Sequence, residues 1–121
     1  MRRALLLAAL AALPSFAQTA TQLLPSGPDP WVLYKDGWYF YTNTTGRDLV
    51  LKRTRHLTDL NQAEAQIIFT PPAGAAFSKQ LWAPEIHFLR NKWYVYFAAD
   101  DGRNRNHRIY VLENYARDPF E

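Results

Sequence analysis

The chain has 121 residues and carries 14 Lys and Arg against 11 Asp and Glu, with no Cys. This length suits one small domain or part of a larger one, and it excludes a complete multidomain enzyme. Without Cys, neither a disulfide framework nor a thiolate metal site can form. Aromatic residues make up 15% of the chain, which is too much ring surface for a disordered protein.

The first 17 residues have the layout of a cleavable secretory signal. Arg2 and Arg3 precede a short alanine- and leucine-rich run, and small residues, Ser15 and Ala17, stand before the predicted cleavage point. Removing the two arginines leaves 12 basic groups against 11 acidic ones, so the charge does not indicate a nucleic-acid partner. We therefore predict a secreted or periplasmic protein that is free of the membrane after cleavage, with a leader at 18–27.

Two aromatic runs, at 31–34 and 38–42, form the first predicted hairpin. They are joined through Asp36 and Gly37, and glycine supplies the positive φ that tight turns need. Two further strands are predicted at 49–53 and 67–70. Between those strands we predict a short helical turn, with Thr58-Asp59 as its cap.

The same pattern then repeats. Strands are predicted at 86–89, 93–97 and 108–112, with a polar loop at 98–107. The Trp-Tyr pairs at 38 and 93 lie 55 residues apart, each after a turn and before a polar loop. Such spacing predicts propeller blades. The second strand of each unit is apolar at consecutive positions, so we expect both of its faces to be covered.

Two such units, at about 28–72 and about 82–121, cannot close a ring, because propellers typically need about four to eight blades. Alone, the pair would leave aromatic blade faces and edge strands exposed. We therefore expect the chain to be a fragment of a propeller, or else to associate with further copies or partners. The fragment is the favoured interpretation.

Two segments carry distinctive motifs. The first has Gly-Pro-Asp-Pro-Trp-Val at 27–32, Asp-Gly-Trp-Tyr at 36–39 and Thr-Asn-Thr-Thr-Gly at 42–46; the second has Trp-Ala-Pro-Glu-Ile-His at 82–87 and Lys-Trp-Tyr-Val-Tyr-Phe-Ala-Ala-Asp at 92–100. Together they resemble the first and second blades of family 43 glycoside hydrolases. The resemblance implies an all-β fold with antiparallel four-stranded blades, the first two of a five-bladed propeller. It also implies removal of arabinose or xylose from plant polysaccharides with inversion, and the motifs look most like α-L-arabinofuranosidases.

The resemblance assigns Asp29 as the general base. An inverting glycosidase needs two carboxyl groups about 6.5–9.5 Å apart, one to activate water and one to protonate the leaving oxygen. Pro28 and Pro30 restrict the backbone on both sides of this carboxylate. An ordinary turn aspartate is the alternative. The family's general acid and the aspartate that tunes its pKa belong to later blades.

Four further residues are predicted to bind the substrate. Trp82 would stack on a pentose ring, unless it packs between blades. Glu85 would touch sugar as a neighbour of the base, and we do not expect it to be the acid. The polar loop residues Asn43 and Thr44 would hydrogen-bond sugar hydroxyls, although a plain connection is an equal alternative.

The remaining polar candidates are given structural roles. Asp100 and Asp101 are predicted to be solvated turn residues. No metal site is predicted from the histidines, whose spacing is wide: His56, His87 and His107. Many family members hold calcium on the propeller axis, but the histidine usually involved comes from the last blade. No cofactor is therefore expected from this chain.

The leading hypothesis is a secreted glycosidase of the arabinofuranosidase or β-xylosidase type, acting on arabinose- or xylose-containing oligosaccharides and polysaccharides. A non-catalytic carbohydrate-binding or interaction propeller fragment is the alternative. Because the chain carries the predicted base without the acid, we expect the 121 residues alone to be inactive. Release of arabinose from a nitrophenyl arabinoside by this polypeptide would contradict that expectation.

Overall fold

The computed structural model describes residues 20–121, so the predicted signal peptide at 1–17 lies outside the described residues. The first sheet is antiparallel, and each strand pairs with the next along the chain. Its strands are β1 (Trp31–Lys35), β2 (Trp38–Thr42), β3 (Leu49–Thr54) and β4 (Glu64–Phe69). This sheet confirms the predicted four-stranded unit.

The turn between β1 and β2 forms as its sequence predicts. Asp36 and Gly37 both have positive φ, at 52° and 79°, and the flanking residues Lys35 and Trp38 are paired. Two positive-φ residues in a two-residue loop match the twist of an antiparallel pair. The Asp-Gly sequence therefore fixes the register of the first hairpin.

The predicted short helical turn is a 3₁₀ helix, Leu57–Gln62, but its predicted cap is wrong. The capping position is His56, which makes no side-chain capping bond. The chain is held instead by the Thr54 hydroxyl, which donates to the His56 carbonyl at 2.9 Å, and by burial of Leu60. Asp59 lies inside the first turn.

The second sheet has three strands in the described residues, and each contains one of the three strands that the sequence predicts for this unit. The strands are β5 (Lys79–Leu89), β6 (Lys92–Asp100) and β7 (Arg108–Asn114). Strand β6 also runs further than predicted, because Ala98 and Ala99 continue the pairing with β7. Small, buried Ala99 belongs to the sheet and not to the polar loop.

The hydrophobic core lies between the two sheets. Phe40 of β2 and Trp93 of β6 meet edge to face with their ring centroids 5.1 Å apart. Full burial of an aliphatic side chain stabilises the fold by about 1.5–3 kcal/mol. The buried core draws on both sheets: Phe40, Leu49, Leu51, Leu81, Ile86, Trp93, Val95, Phe97 and Ala99. The sheets are therefore packed against each other as neighbouring blades.

Strand β6 buries one face over most of its length, which departs from the expectation that both faces are covered; on the other face Asp100, at the end of the strand, is buried. Trp93, Val95 and Phe97 point into the core, whereas Tyr96, in the alternate set, is 37% exposed. Tyr96 is paired with Val111, and this open face continues across β7 to Ile109, which is 78% exposed. The expected exposure of an aromatic blade face is thereby confirmed.

In the part of the chain that the structure describes, no helix is long and apolar enough to cross a membrane.

The segment after β7 returns to the first sheet. The Arg53 guanidinium donates to Asp118 at 2.6 Å and to Glu64 at 2.7 Å, and it lies over the Phe120 ring. The backbone N–H of Phe120 and the Arg53 side chain lower the pKa of Asp118. One carboxylate therefore fastens the end of the second blade to the first.

This contact predicts a pH-dependent part of the stability. Because the pKa of Asp118 is lowered in the folded state, its contribution is complete above its ordinary pKa of 3.8 and is lost as the pH falls through the lowered pKa. We expect Asp118→Asn to be less stable than the parent at about pH 6, and the gap to close near about pH 2. Thermal unfolding across this range measures it; a gap that stays constant would contradict it.

Candidate active site

Asp29 stands two residues before the first strand of the first blade, and its backbone is in the left-handed region with φ of 51°. A non-glycine residue there is uncommon, and such strain clusters at functional sites. The segment before Asp29 is packed closely, because a Cβ at Gly27 would collide with the hydroxyl of buried Tyr41. The Asp29 carboxylate itself is exposed and accepts a hydrogen bond from the Thr44 hydroxyl at 2.7 Å.

The matching place in the second blade is also strained. Strand β5 is irregular, with register shifts on either side of Trp82, and Ala83 has φ of 45°. Ala83 precedes Pro84 just as Asp29 precedes Pro30. Each blade thus has a left-handed residue followed by proline at its edge of the pocket. In the first blade that residue is Asp29, which carries a carboxylate, and in the second it is Ala83, which does not.

These two segments enclose a small pocket of about 160 Å³. Asp29, the predicted base, and Glu85 both line this pocket. The Glu85 side chain is 46% exposed, and its Oε2 lies 3.4 Å from His87 Nε2. The lining is contributed by both blades: Asp29, Pro30, Trp31, Ala83, Pro84 and Glu85. Two carboxylates facing one open pocket can serve the acid–base chemistry of hydrolysis or bind sugar hydroxyls.

A larger cavity of about 360 Å³ lies elsewhere between the blades. It is lined mainly by core side chains and by the segment after β7, including Phe69, Leu112 and Phe120. Neither Asp29 nor Glu85 reaches it. The larger cavity is lined by other acidic residues, Glu113 and Glu121, so the pocket of about 160 Å³ is the candidate active site because it contains the predicted site residues Asp29 and Glu85.

Trp82 lies beside the pocket without lining it. Its indole is 40% exposed, and its centroid lies 4.6 Å from that of the His107 ring. Partial exposure leaves indole surface available to a sugar, so stacking on a pentose stays a prediction.

The prediction that Asp100 is a solvated turn residue is wrong. Asp100 is fully buried at the end of β6, where it accepts hydrogen bonds from His107 Nδ1 and from the Gly102 N–H, both at 2.8 Å. Asp101 is exposed, as predicted, and bonds Asn106 and the Arg103 N–H. Sequence reasoning missed that His107 joins Asp100, by a hydrogen bond, to Trp82, by a ring contact, because the three residues are separated along the chain.

Asn43 and Thr44 belong to the loop between β2 and β3. The Asn43 amide donates to the Thr44 carbonyl at 2.9 Å, and the Thr44 hydroxyl also accepts the Ala83 N–H at 2.7 Å. Both side chains are thus engaged inside the protein. Their predicted contact with sugar stays a prediction.

Among residues 20–121, no group of three or more His, Asp or Glu side chains is arranged to hold a metal ion. His107 is bound to Asp100, and His87 lies against the Trp31 ring with centroids 5.0 Å apart. Within the described part of the chain, therefore, no residues are assigned to the axial calcium ion that the resemblance implies for many family members.

Comparison with known proteins identifies the family of the chain. The sequence model described as "Glycosyl hydrolases family 43" matches residues 23–119. The chain belongs to glycoside hydrolase family 43. Its two sheets are the first two blades of the five-bladed propeller that the resemblance implied.

Among relatives of this family 43 chain, an extracellular exo-α-(1→5)-L-arabinofuranosidase of Streptomyces avermitilis is 40% identical over 96 residues, covering 76% of the chain and 20% of that protein. An enzyme of the same description from Streptomyces chartreusis is 36% identical over 124 residues, covering 93% of the chain and 38% of that protein. The crystal structure of an α-L-arabinofuranosidase from Lactobacillus brevis aligns with a TM-score of 0.72 and 30% identity, over 78% of the chain and 33% of that structure. The chain thus spans a minor part of each.

Proposed function

We propose that this chain supplies the general base of a secreted, inverting glycoside hydrolase that releases arabinose from plant polysaccharides, with xylose as the second candidate sugar. The observation that carries the proposal is the exposed Asp29 carboxylate in a pocket between the first two blades of a family 43 propeller. The relatives named extracellular arabinofuranosidases favour arabinose and secretion.

The pocket geometry suits activation of a water molecule. Oδ2 of Asp29 accepts the Thr44 hydroxyl, and among the described residues Oδ1 accepts no hydrogen bond from the protein. That free oxygen can take a proton from water as the water attacks the anomeric carbon. Inversion then requires a separate acid about 6.5–9.5 Å away, so that the water fits beside the sugar.

We assign Glu85 to sugar binding and place the acid in a part of the protein outside residues 1–121. Glu85 lines the same pocket as Asp29, and its half-exposed carboxylate can accept hydrogen bonds from sugar hydroxyls. The chain spans only 20–38% of its two Streptomyces relatives, so other residues of such enzymes have no counterpart here.

The proposed function is tested with the longest product of the reading frame that contains these residues. We expect release of nitrophenol from nitrophenyl α-L-arabinofuranoside in preference to the β-D-xylopyranoside. Proton NMR of the first-formed sugar should show the β-anomer, because inversion changes the configuration at the anomeric carbon. Retention of configuration would contradict the mechanism, and binding of arabino-oligosaccharides without hydrolysis would favour a carbohydrate-binding propeller.

Trp82→Ala is expected to raise KM about tenfold with a smaller change in kcat, because an aromatic face contributes mainly to binding the sugar ring. Steady-state kinetics on the arabinofuranoside measure the effect. Trp38→Phe is the matched control: Trp38 is half-buried under the Arg53 and Arg55 guanidiniums, outside the candidate pocket. An unchanged KM in Trp82→Ala would remove the stacking role.

A further inference from the structure

One hydroxyl group joins the two blades at the candidate active site. Thr44 Oγ1 lies 2.7 Å from Asp29 Oδ2 and 2.7 Å from the Ala83 backbone nitrogen. Thr44 itself is on the loop between β2 and β3, fifteen residues after Asp29 and 39 before Ala83. The bond to Ala83 therefore exists only when the two blades are docked, whereas Asp29 and Thr44 belong to the same blade.

The direction of both hydrogen bonds is fixed by chemistry. The Ala83 N–H can only donate, so the Thr44 oxygen accepts there. A hydroxyl has a single proton, and a carboxylate has none to give, so the Thr44 proton points at Asp29 Oδ2. The hydroxyl thus occupies one oxygen of the carboxylate and leaves the other for the pocket.

Both ends of this bridge are strained. Asp29 and Ala83 have φ of 51° and 45°, and each is followed by proline, which further restricts the preceding residue. Strained backbone persists only where the surrounding structure holds it. Here the loop is anchored on both sides: the Thr44 N–H donates to the Pro28 carbonyl at 3.0 Å, and Gly46 exchanges two backbone hydrogen bonds with Leu81.

We propose that Thr44 is a positioning residue for Asp29: its hydroxyl fixes the rotation of the carboxylate and ties it to the second blade. The inference rests on the proposed role of Asp29 as general base. It gives Thr44 a part in catalysis that needs no contact with sugar. Glycosidase activity then depends on correct docking of the two blades, because Thr44 Oγ1 also accepts a hydrogen bond from the Ala83 N–H of the second blade.

The proposal predicts a separation of kcat from KM. Thr44→Val keeps the shape of the side chain and removes the hydroxyl, so we expect kcat to fall about tenfold, on the order of one hydrogen bond to a charged group. KM should change less than about twofold, because the Thr44 hydroxyl is already bonded to Asp29 and Ala83 and the proposed sugar contacts of Trp82 and Glu85 remain. Thr44→Ser keeps the hydroxyl and should restore most of kcat.

Thr45→Val is the matched control. Thr45 lies in the same loop, where its hydroxyl hydrogen-bonds the carbonyl and carboxylate of Asp48 and makes no hydrogen bond to Asp29. We expect this variant to lose some thermal stability while keeping kcat within about twofold of the parent. If Thr45→Val lowers kcat as much as Thr44→Val does, loosening of the loop explains the loss and the positioning role is refuted.

Hydrogen exchange supplies a measurement that needs no activity. In the full product, exchange of the Ala83 amide should be slow, faster in Thr44→Val and slow again in Thr44→Ser, as read by mass spectrometry of peptides covering β5. Equal exchange rates of the Ala83 amide in all three proteins would refute the proposed hydrogen bond between Ala83 and Thr44.

The outcomes separate this proposal from the proposed function. If Asp29→Asn is inactive while Thr44→Val keeps the parental kcat, Asp29 keeps its role and Thr44 loses the one proposed here. If Asp29→Asn retains the parental activity, the proposed base is wrong and the role of Thr44 in catalysis falls with it.

Discussion

Asp29→Asn is expected to lower kcat on the arabinofuranoside by about 10²- to 10⁴-fold, the range in which general bases contribute. The amide has nearly the shape of the carboxylate and cannot take a proton from water. Thr44 can still donate to the amide oxygen, so the fold around the pocket is preserved. We expect KM to stay within a few-fold of the parent and thermal unfolding to change little.

The control for this variant is Asp59→Asn, which removes an exposed carboxylate in the 3₁₀ helix away from the pocket. It should match the parent in kcat and KM. An Asp29→Asn protein that keeps more than about a tenth of the parental kcat would exclude Asp29 as the base. The pocket carboxylate left to consider would then be Glu85.

Asp100→Ala is expected to destabilise the protein by about 3 kcal/mol, because it leaves two inward-facing donors without an acceptor. These are His107 Nδ1 and the Gly102 N–H, each 2.8 Å from the Asp100 carboxylate. Asp100 is fully buried, so water does not replace the lost oxygens. Urea unfolding followed by circular dichroism measures the change.

The adjacent residue provides the matched control. Asp101 also accepts two hydrogen bonds, from Asn106 and from the Arg103 N–H, but it is exposed, so solvent can take its place. Asp101→Ala should therefore cost less than about 1 kcal/mol. Equal losses for the two variants would show that burial does not separate them. Tryptophan emission should also change more in Asp100→Ala, since His107 packs against Trp82.

The strands and hairpins were predictable because their signals are local. Asp36 and Gly37 accept the positive φ that a two-residue turn requires, and aromatic runs flank them. The hairpin between β5 and β6 also turns through two positive-φ residues, Arg90 and Asn91, with φ of 51° and 62°. The repeat of Trp-Tyr pairs also predicted two stacked units correctly, since Phe40 and Trp93 meet in the shared core.

The parts that sequence reasoning missed depend on contacts between distant segments. Asp100 resembles a turn residue because Asp101 and Gly102 follow it, and its burial becomes visible only once β6 pairs with β7. The Thr44 bridge joins residues of two blades, and no periodic pattern marks it. The family resemblance singled out Asp29 and Glu85, which the structure places in one pocket, but it did not indicate the hydrogen bond that Asp29 accepts.

The exposed face of β6 and β7 is expected from the presence of two blades, which cannot close a ring. Tyr96, Val111 and Ile109 form an exposed apolar surface because one face of the second blade packs on the first and the other has no described neighbour. Exposed apolar surface of this kind marks an interface. In the proposed enzyme it would receive the next blade.

The most direct test of the account is a crystal structure of Asp29→Asn, in the longest product of the reading frame, with an arabino-oligosaccharide bound. We predict the terminal arabinose in the pocket between Pro30 and Glu85, with its ring beside Trp82 and a water held between the side chain at position 29 and the anomeric carbon. A sugar bound away from this pocket, or a water held there by a different carboxylate, would contradict the account.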